Sequence, residues 1–430
     1  MLSKRAWVGS GSSIAAVLAV ATGVAACESD ATPAPVADAG GLLDGGSPPA
    51  PGVPDAANID DGGPEAGTGS AVVQIAVGRY HGCARLASGA VSCWGNNSFG
   101  ALGNGQKAPD GVLNLPQKVT GLEDAVQISA GEHHSCAVRA TGGVVCWGFN
   151  GFGILGDGTK TERLVPTPVV VSDAGAPFTG AAAVDTQWVS SCIRHTAGTI
   201  SCWGEDNTLG RNGDGTNAPR RIPSVDVVGL TDAVELAKAE NHACARRATG
   251  QVVCWGGNGA GNFGNGTAGG TSNVPLNADV ADAILLGVGQ NQTCALRAAG
   301  GVHCWGINNA GQLGDGTKTN RPSPTPVSGL TDAKQLAGGA SHFCALHSSG
   351  AVSCWGSNTY GQIGDGTPDE RLTPTPVTGL TDAVEIAAGW LFTCARRAAG
   401  GIVCWGANDR GQHGDGTVTE HRTPSPVIGL

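Results

Sequence analysis

The sequence predicts an all-β chain that forms a seven-bladed β-propeller with one disulfide inside each blade. Three observations predict it: a recurring Cys-Trp-Gly triplet, a second cysteine ten residues before each triplet, and short β-prone segments around both. The triplets are spaced by 53, 56, 52, 50, 50 and 50 residues and begin at Cys93, Cys146, Cys202, Cys254, Cys304, Cys354 and Cys404. A repeat period near 50 residues with four strands per repeat is typical of propeller blades.

The two cysteines of each repeat flank a predicted β-hairpin. Two short apolar runs surround a turn of small residues, and Ser88-Gly89 falls midway between Cys83 and Cys93. This symmetry places the cysteines opposite each other at a non-hydrogen-bonded position, about 4.5 Å apart at Cα, which suits a disulfide. Free buried thiols are an alternative, and two cysteines with at most one nearby His make a poor zinc site. The predicted disulfides are Cys83–Cys93, Cys136–Cys146, Cys192–Cys202, Cys244–Cys254, Cys294–Cys304, Cys344–Cys354 and Cys394–Cys404.

Two further strands complete each repeat. Alternating segments such as Val384-Glu-Ile-Ala-Ala-Gly389 precede the hairpin, and alternation of this length indicates a strand. A Pro-Thr-Pro-Val segment such as Pro374–Val377 follows it. Because proline cannot donate to a central ladder, this last strand should lie at the edge of its sheet.

The repeat resembles a known family. Its pattern, His-x-Cys-Ala-Leu…Gly-x-Val-x-Cys-Trp-Gly-x-Asn-x-x-Gly-Gln-Leu-Gly-Asp-Gly-Thr, is similar to the repeats of the regulator-of-chromosome-condensation family over residues 71–430. The resemblance implies a seven-bladed propeller. Repeat three departs from it by one extra residue, and repeat one has Gly103-Asn-Gly105 without the Asp. Members of that family include a nuclear nucleotide-exchange factor for a small GTPase and a secreted β-lactamase inhibitor, so the resemblance implies a fold and leaves the function open.

The N-terminal segment is expected to be a lipoprotein signal. Residues 1–26 begin with Lys4 and Arg5 and continue with small apolar residues, as a targeting segment does. Val24-Ala-Ala-Cys27 resembles a bacterial lipobox, and Cys27 is the one cysteine left over after seven pairs. An ordinary secretory signal with a chance cysteine is the alternative. The cysteine pairs, which are not a general feature of the family, agree with an oxidising compartment.

A tether is expected between this signal and the propeller. Residues 27–70 are rich in Pro, Ala, Gly and Asp and offer few large apolar side chains to bury, which favours disorder. The whole chain has a net charge of −10. Residues 28–70 contribute eight acidic side chains and no Lys or Arg. Removing these eight negative charges and the two positive charges of Lys4 and Arg5 leaves residues 71–430 with a net charge of −4. That domain has no basic footprint for nucleic acid or for an anionic membrane surface.

Five arginines are the candidate binding residues. Each follows the Thr of a repeat by four or five residues, so the repetition should arrange them as an arc on one face, able to bind an anion or a carboxylate. The alternative is that they pin loops to neighbouring carbonyls or carboxylates. The candidate rim consists of Arg163, Arg220, Arg321, Arg371 and Arg422.

Two other residue sets are expected to be structural. The Gly-Asp-Gly-Thr tracts offer one carboxylate each, too few for a loop-type calcium site, and Asp capping a Gly turn is the ordinary explanation. Their aspartates are Asp157, Asp214, Asp315, Asp365 and Asp415. Four histidines lie two residues before a cysteine, one per blade, and are expected to hydrogen-bond rather than to bind metal: His81, His134, His242 and His342. We therefore expect no metal and no cofactor.

The expected function is that of a monomeric, lipid-anchored binding scaffold outside the cytoplasm of a bacterium. No Gly-x-Ser-x-Gly elbow, His-Glu-x-x-His pair or phosphate-binding loop occurs, so no catalytic residue is assigned. The expected partner is a protein or glycan, with no nucleic acid and with membrane contact only through the lipid. The alternative is a secreted hydrolase or lyase whose site is assembled from several blades.

Closure of the ring is the last expectation. An open ring would leave two strand edges unpaired. The segments Val72–Val77 and Pro424–Ile428 should therefore lie in the same or adjacent blades, with blades one and seven in contact.

Overall fold

The structure, a computed structural model, describes residues 70–172, 174–188, 190–204 and 206–430. Seven antiparallel sheets follow one another around a central axis, which confirms the prediction of an all-β, seven-bladed propeller. The predicted signal (1–26) and tether (27–70), apart from Ser70, lie outside the described residues. Within the described ranges, no helix has the length and apolar character that crossing a bilayer requires.

The first strand of each blade, strand A, lies innermost, because A strands of neighbouring blades contact one another around the ring. Most begin with Ala followed by an exposed residue and then a buried run, because the C-terminal half of the strand lies between two adjacent blades. The A strands are β1 (Val72–Val77), β5 (Ala125–Ala130), β9 (Ala181–Thr186), β12 (Ala233–Lys238), β16 (Ala283–Val288), β20 (Ala333–Gly338) and β24 (Ala383–Ala388).

The second strand of each blade, strand B, carries the first cysteine of the pair. It is paired with strand A on one side and with strand C on the other. The B strands are β2 (His81–Leu86), β6 (His134–Arg139), β10 (Ser191–His195), β13 (His242–Arg247), β17 (Gln292–Arg297), β21 (His342–His347) and β25 (Phe392–Arg397).

Strand C carries the Cys-Trp-Gly triplet. The cysteines of strands B and C are direct register partners in every blade, as at Cys344 and Cys354, and their Cα atoms lie 4.1 Å apart there. Seven disulfides within single blades are therefore confirmed. The C strands are β3 (Val91–Asn96), β7 (Val144–Gly148), β11 (Ile200–Trp203), β14 (Val252–Gly257), β18 (Val302–Gly306), β22 (Val352–Gly356) and β26 (Ile402–Gly406).

Strand D forms the outer edge of six blades, as its prolines require. Its residues are half-buried or exposed, in contrast to the closely packed A, B and C strands. The D strands are β4 (Val112–Lys118), β8 (Arg163–Pro168), β15 (Thr271–Asn277), β19 (Arg321–Pro326), β23 (Arg371–Pro376) and β27 (His421–Pro426).

Blade three corrects the expectation of four strands in every repeat. Its sheet has three strands, and only isolated bridges from Ser201 to Asp226 and from Gly204 to Arg220 stand where strand D lies elsewhere. The segment from Arg220 to Val227 is one residue longer than the equivalent segment from Arg163 to Val169. One extra residue breaks a ladder locally, because it has no partner on the facing strand.

A tryptophan hydrogen bond joins each blade to the one before it. The indole Nε1–H of the Cys-Trp-Gly tryptophan donates to a backbone carbonyl in the loop after strand C of the preceding blade, and every one of these indoles is fully buried. Donor and acceptor atoms are 2.7–3.0 Å apart. The pairs are Trp147 to Ala101, Trp203 to Ile154, Trp255 to Arg211, Trp305 to Asn262, Trp355 to Gln312, Trp405 to Gln362 and Trp94 to Gln412.

A glycine in the same loop lets the indole approach this closely. At Gly414 the backbone has φ of 64°, and a Cβ added there would lie 2.8 Å from the Trp94 ring. Any larger residue would therefore push the loop off the tryptophan and strain its own backbone. This contact explains why the tract contains a glycine before its aspartate.

The ring closes between blades seven and one through the same contacts. Strand β1 packs against β24, and Ile75, Val77 and Trp94 share a buried cluster with Phe392 and Val427. The Asn114 side-chain amide also donates to the Gly416 carbonyl at 2.7 Å. The expected contact of the two terminal strands is confirmed in its adjacent-blade form: β1 pairs only with β2, and β27 only with β26.

Candidate binding face

One face of the propeller carries two sets of loops. The A–B loops connect strands A and B, and the C–D loops follow the Cys-Trp-Gly triplet; the two meet because Asn96 N–H donates to the Tyr80 carbonyl at 2.8 Å. We call this surface the A–B face. Equivalent loops of all seven blades project from it, so differences between repeats become differences across one surface.

The five predicted rim arginines lie in or beside the D strands, and each forms an ion pair with a nearby carboxylate. Arg321 Nε donates to Asp315 Oδ2 at 2.8 Å, and Arg163, Arg220 and Arg371 pair with the aspartates of their own Gly-Asp-Gly-Thr tracts in the same way. Arg422 instead pairs with Glu420 at 3.2 Å, because His421 takes the place beside Asp415. The geometry is that of loop-pinning arginines, and their use as an anion-binding rim remains a prediction.

The Gly-Asp-Gly-Thr aspartates are held by protein donors. Asp315 accepts hydrogen bonds from the Thr317 amide, the Thr317 hydroxyl, Asn308 and Arg321. Burial alone would raise the pKa of Asp315, but the hydrogen bonds from Thr317 and Arg321 outweigh burial and hold this pKa below its usual range. The carboxylate is ionised and used to fold its loop, as an Asp in a glycine turn commonly is.

The four histidines before the cysteines link neighbouring blades. His242 Nε2 lies 2.8 Å from Thr293 Oγ1 of the next blade, and His81, His134 and His342 make the same contact with Ser135, Ser191 and Thr393. Burial lowers the pKa of each of these imidazoles to about 3, so all four are neutral at physiological pH. They are separated around the ring, one per blade, and act as cross-blade hydrogen-bonding groups.

Most of the partly exposed aromatic rings of the A–B face lie over blades seven, one and two; Trp188 of blade three and Tyr360 of blade six are the others at these repeat positions in the described residues. Tyr80 stacks on His133 with ring centroids 5.3 Å apart, Phe99 meets His133 at 4.9 Å, and Phe149 continues the row to Phe152 at 5.9 Å. This row and its neighbours form the aromatic patch, defined as Arg79, Tyr80, Phe99, His133, Phe149, Phe152 and Trp390.

Arg79 ties this aromatic patch together. Its guanidinium carbon lies 3.4 Å from the centre of a Trp390 ring, and its Nη1 donates to Glu132 Oε1 at 2.9 Å. Such cation–π contacts prefer arginine over tryptophan faces. The patch is therefore preorganised across the junction between blades seven and one and the junction between blades one and two.

The same repeat positions are small or polar in blades four and five, while blade six carries Tyr360 and blade three carries Trp188. Phe99 and Phe152 correspond to Ala260 and Ala310 in blades four and five, and Tyr80 corresponds to Asn241 and Asn291. Reading the sequence by cysteine and catalytic motifs did not reveal this asymmetry. Aligning the seven repeats position by position would have shown that blades four and five lack these aromatic residues, although only the structure shows which of the rings touch.

A buried charged cluster lies in blades three and four. Burial raises the pKa of Glu240 to about 8, against the opposing charge of Arg211, and raises that of Asp185 to about 7. Burial also lowers the pKa of Lys238 to about 7. Arg211 donates to the Glu240 carbonyl at 3.1 Å, and the Lys238 amide donates to Asp185 at 2.8 Å. With Glu240 only 1% exposed, this cluster is part of the blade junction rather than an open cleft.

Among the described residues, one group of three side chains could hold a metal ion. His413, Asp415 and His421 come together in blade seven. The prediction that no metal binds treated Asp415 as one of five equivalent aspartates and did not consider the histidines that flank it only in this blade.

The fold and this face define the chain as a seven-bladed propeller whose repeated blades present variable loops on one surface. Two models described as the regulator of chromosome condensation (RCC1) repeat match it, one at residues 88–138, 299–346 and 349–396 and the other at 72–101, 125–154, 333–362 and 383–412. These segments of the chain therefore match RCC1 repeats, as the resemblance implied.

Curated relatives match over part of the chain. The ultraviolet-B receptor UVR8 of Arabidopsis thaliana is 29% identical over 46% of this chain and 44% of its own length. The human E3 ubiquitin-protein ligase HERC2 is 30% identical over 43% of this chain and 4% of its own length. The chain thus spans less than half the length of these relatives.

Solved structures agree on the fold. Human WBSCR16 superposes with a TM-score of 0.67 at 22% identity, covering 78% of this chain and 93% of that one. Prp20p of Saccharomyces cerevisiae, described with its binding properties to Gsp1p and histones, superposes with a TM-score of 0.69 at 18% identity. The match covers 84% of this chain and 88% of that one. At these identities the likeness supports an RCC1-like propeller and nothing about partners.

The buried histidines make stability depend on pH. The pKa of His342 falls from 6.5 to about 3 on folding, so the unfolded chain binds a proton that the folded chain excludes, and stability is lost as pH falls from 6.5 toward 3. His342→Gln places the residue of blade five at this position and should flatten the pH dependence by about 1.4 kcal/mol per pH unit in that window. Urea unfolding from pH 7 to 4 measures it.

Thr393→Val is the matched control for this variant. It removes the hydrogen-bond partner of His342 and keeps the titrating ring, so it should lower stability at all pH values and leave the slope as in the wild type. An unchanged slope in His342→Gln would contradict burial of a neutral imidazole at this position.

Proposed function

We propose that this chain is a non-enzymatic binding scaffold that engages a partner through the aromatic patch of its A–B face. The observation that carries the proposal is a continuous row of ring contacts from Trp390 and Arg79 through Tyr80, His133 and Phe99 to Phe149 and Phe152, whereas the aromatic residues at the same repeat positions in blades three and six, Trp188 and Tyr360, make no such row among the described residues. Tryptophan, tyrosine and arginine dominate the energetics of protein interfaces. A rigid propeller supports them without the entropy cost of ordering a loop on binding.

The partner we favour is a protein. Partly exposed aromatic rings beside a guanidinium that is already paired with Glu132 provide rigid apolar area with a satisfied charged group, which matches the core of a protein interface. Stacking of sugars on the same rings makes a glycan the second partner class. The −4 charge of residues 71–430 argues against nucleic acid.

The proposed location is outside the cytoplasm, on a bacterial membrane. Seven disulfides, one in each blade, are typical of proteins that mature in an oxidising compartment. The signal-like residues 1–26 and the lipobox-like Val24–Cys27 support export and lipid attachment, with residues 28–70 as the tether. Cys27 lies outside the described residues, and the lipid anchor rests on the sequence alone.

A secreted hydrolase or lyase is the second candidate. The observation that favours it is Glu240, a carboxyl in the A–B loop of blade four whose pKa burial raises to about 8. A protonated carboxyl of this kind can act as a general acid. Because Glu240 is buried, this function would require the A–B loops to open. Turnover of a glycan or peptide panel that is lost in Glu240→Gln would favour it over binding.

The binding proposal predicts the effect of two substitutions in the aromatic patch. Phe152→Ala with Trp390→Ala should reduce capture of the surface partner at least about 10-fold, since interface aromatics commonly contribute about 2 kcal/mol each. Quantitative pull-down from the surface fraction of the native host, with a glycan array beside it, measures both partner classes. The fold of the variant is checked by its seven disulfides.

Tyr360→Ala provides the matched control. Tyr360 occupies the repeat position of Phe99 and Phe152 but lies in blade six, outside the patch, so its loss should leave capture unchanged. Equal loss in both variants, or in neither, would contradict a localised binding patch.

The anchoring proposal predicts lipidation at Cys27. Cells grown with an alkyne-bearing fatty acid should label the wild-type chain, and Cys27→Ala should abolish the label while leaving the disulfides intact. Partition of the wild type into the detergent phase, and of the variant into the aqueous phase, is the second readout. Labelling that persists in Cys27→Ala would contradict the anchor.

A further inference from the structure

Blade seven replaces two side chains that the other blades use for packing and ion pairing. The position two before the tract aspartate is His413, where the other repeats carry Leu102, Leu155, Asn212, Phe263, Leu313 and Ile363. The residue that pairs with the tract aspartate is His421, where four other blades carry arginine. Both changes point to the same carboxylate, Asp415.

These three side chains converge in the folded protein. His421 Nε2 lies 2.9 Å from Asp415 Oδ2, and the rings of His413 and His421 are stacked with centroids 5.4 Å apart. One ligand atom from each of the three residues can be chosen so that all lie within 4.8 Å of one another.

His413 is not explained by protein contacts. Its side chain is fully buried, and among the described residues neither ring nitrogen has a hydrogen-bond partner. A buried polar group without a partner is rare in folded proteins and calls for a specific explanation. Packing does not supply one, because Leu313 and Ile363 fill the same position in blades five and six with apolar atoms.

The Asp415 carboxylate has one oxygen, Oδ2, that could bind a metal ion beside the two histidines. Asp415 Oδ1 accepts from the Thr417 amide and hydroxyl, whereas Oδ2 contacts only His421 among the described side chains. In blades five and six the corresponding Oδ2 faces a guanidinium, which carries a permanent positive charge. Blade seven therefore presents an oxygen beside two imidazoles at the place where its neighbours hold a cation.

We propose that His413, Asp415 and His421 form a binding site for a divalent transition-metal ion of the zinc class. Two imidazole nitrogens and one carboxylate oxygen suit Zn²⁺, whereas Ca²⁺ takes six or more oxygens. Ligand atoms around one such ion lie at most about 4 Å apart, so closure of the site needs a shift of about 1 Å. His421, whose side chain is 34% exposed, is the residue that can make this shift and admit the ion.

The test is titration of Zn²⁺ into chelator-treated, full-length protein in competition with a fluorescent zinc chelator. The wild type should bind one ion per chain. His413→Leu with His421→Arg gives blade seven the side chains of blade five and should bind none at the same concentrations. This variant retains every other His and Cys27, so it controls for binding elsewhere in the chain.

A gain-of-site variant makes the test independent of losses caused by misfolding. Ile363→His with Arg371→His should create in blade six the site of blade seven and raise the stoichiometry to two ions per chain. Absorption of bound Co²⁺ provides a second readout of nitrogen and oxygen ligation. Binding by the wild type that is no tighter than by His413→Leu with His421→Arg, or an unchanged stoichiometry in a folded blade-six variant, would overturn the proposal.

Discussion

The indole-to-carbonyl hydrogen bond between successive blades is the interaction on which the propeller depends. Blades share no backbone ladder, because every sheet pairs only its own strands. Each junction therefore rests on a buried tryptophan, the loop that accepts its N–H, the apolar residues around it, and single backbone hydrogen bonds such as that from the Gly316 N–H to the Leu372 carbonyl. Leaving the buried Gln312 or Gln412 carbonyl without its indole donor would cost about 1–3 kcal/mol. The bond recurs at all seven junctions, including the one that closes the ring, Trp94 to Gln412.

This constraint explains the conserved chemistry within each repeat. Gly414 and its equivalents allow the loop to touch the indole, Asn408 and Asp415 fold that loop, and the disulfide fixes the strand that carries the tryptophan. Substitution at these positions would disrupt the contact between blades, so the repeats can differ mainly in their exposed loops. The aromatic patch and the histidines of blade seven both arise in such loops, or where a position of the junction has been changed.

Much of the fold could be predicted from the sequence because the same pattern of cysteines, glycines and prolines occurs seven times in the chain. The period, the paired cysteines and the prolines of strand D predicted seven blades, seven disulfides and the edge strands. Blade three was predicted less well, because a further extra residue before Val227, outside the motif, disrupts its last strand. The site was harder: Phe99, His133 and Trp390 are far apart in the chain, and only the ring brings them together. His413 was missed because the tract was treated as uniform.

The most direct test of this account compares Trp94→Phe with Trp355→Phe. Each substitution keeps most of the buried ring and removes one N–H, in the first case at the closing junction and in the second at the junction between blades five and six. The account predicts that both lower the free energy of unfolding, measured in guanidinium with disulfides intact, by a similar amount of about 1–3 kcal/mol. Loss of stability in Trp355→Phe with none in Trp94→Phe would contradict a ring closed by the same bond as every other junction.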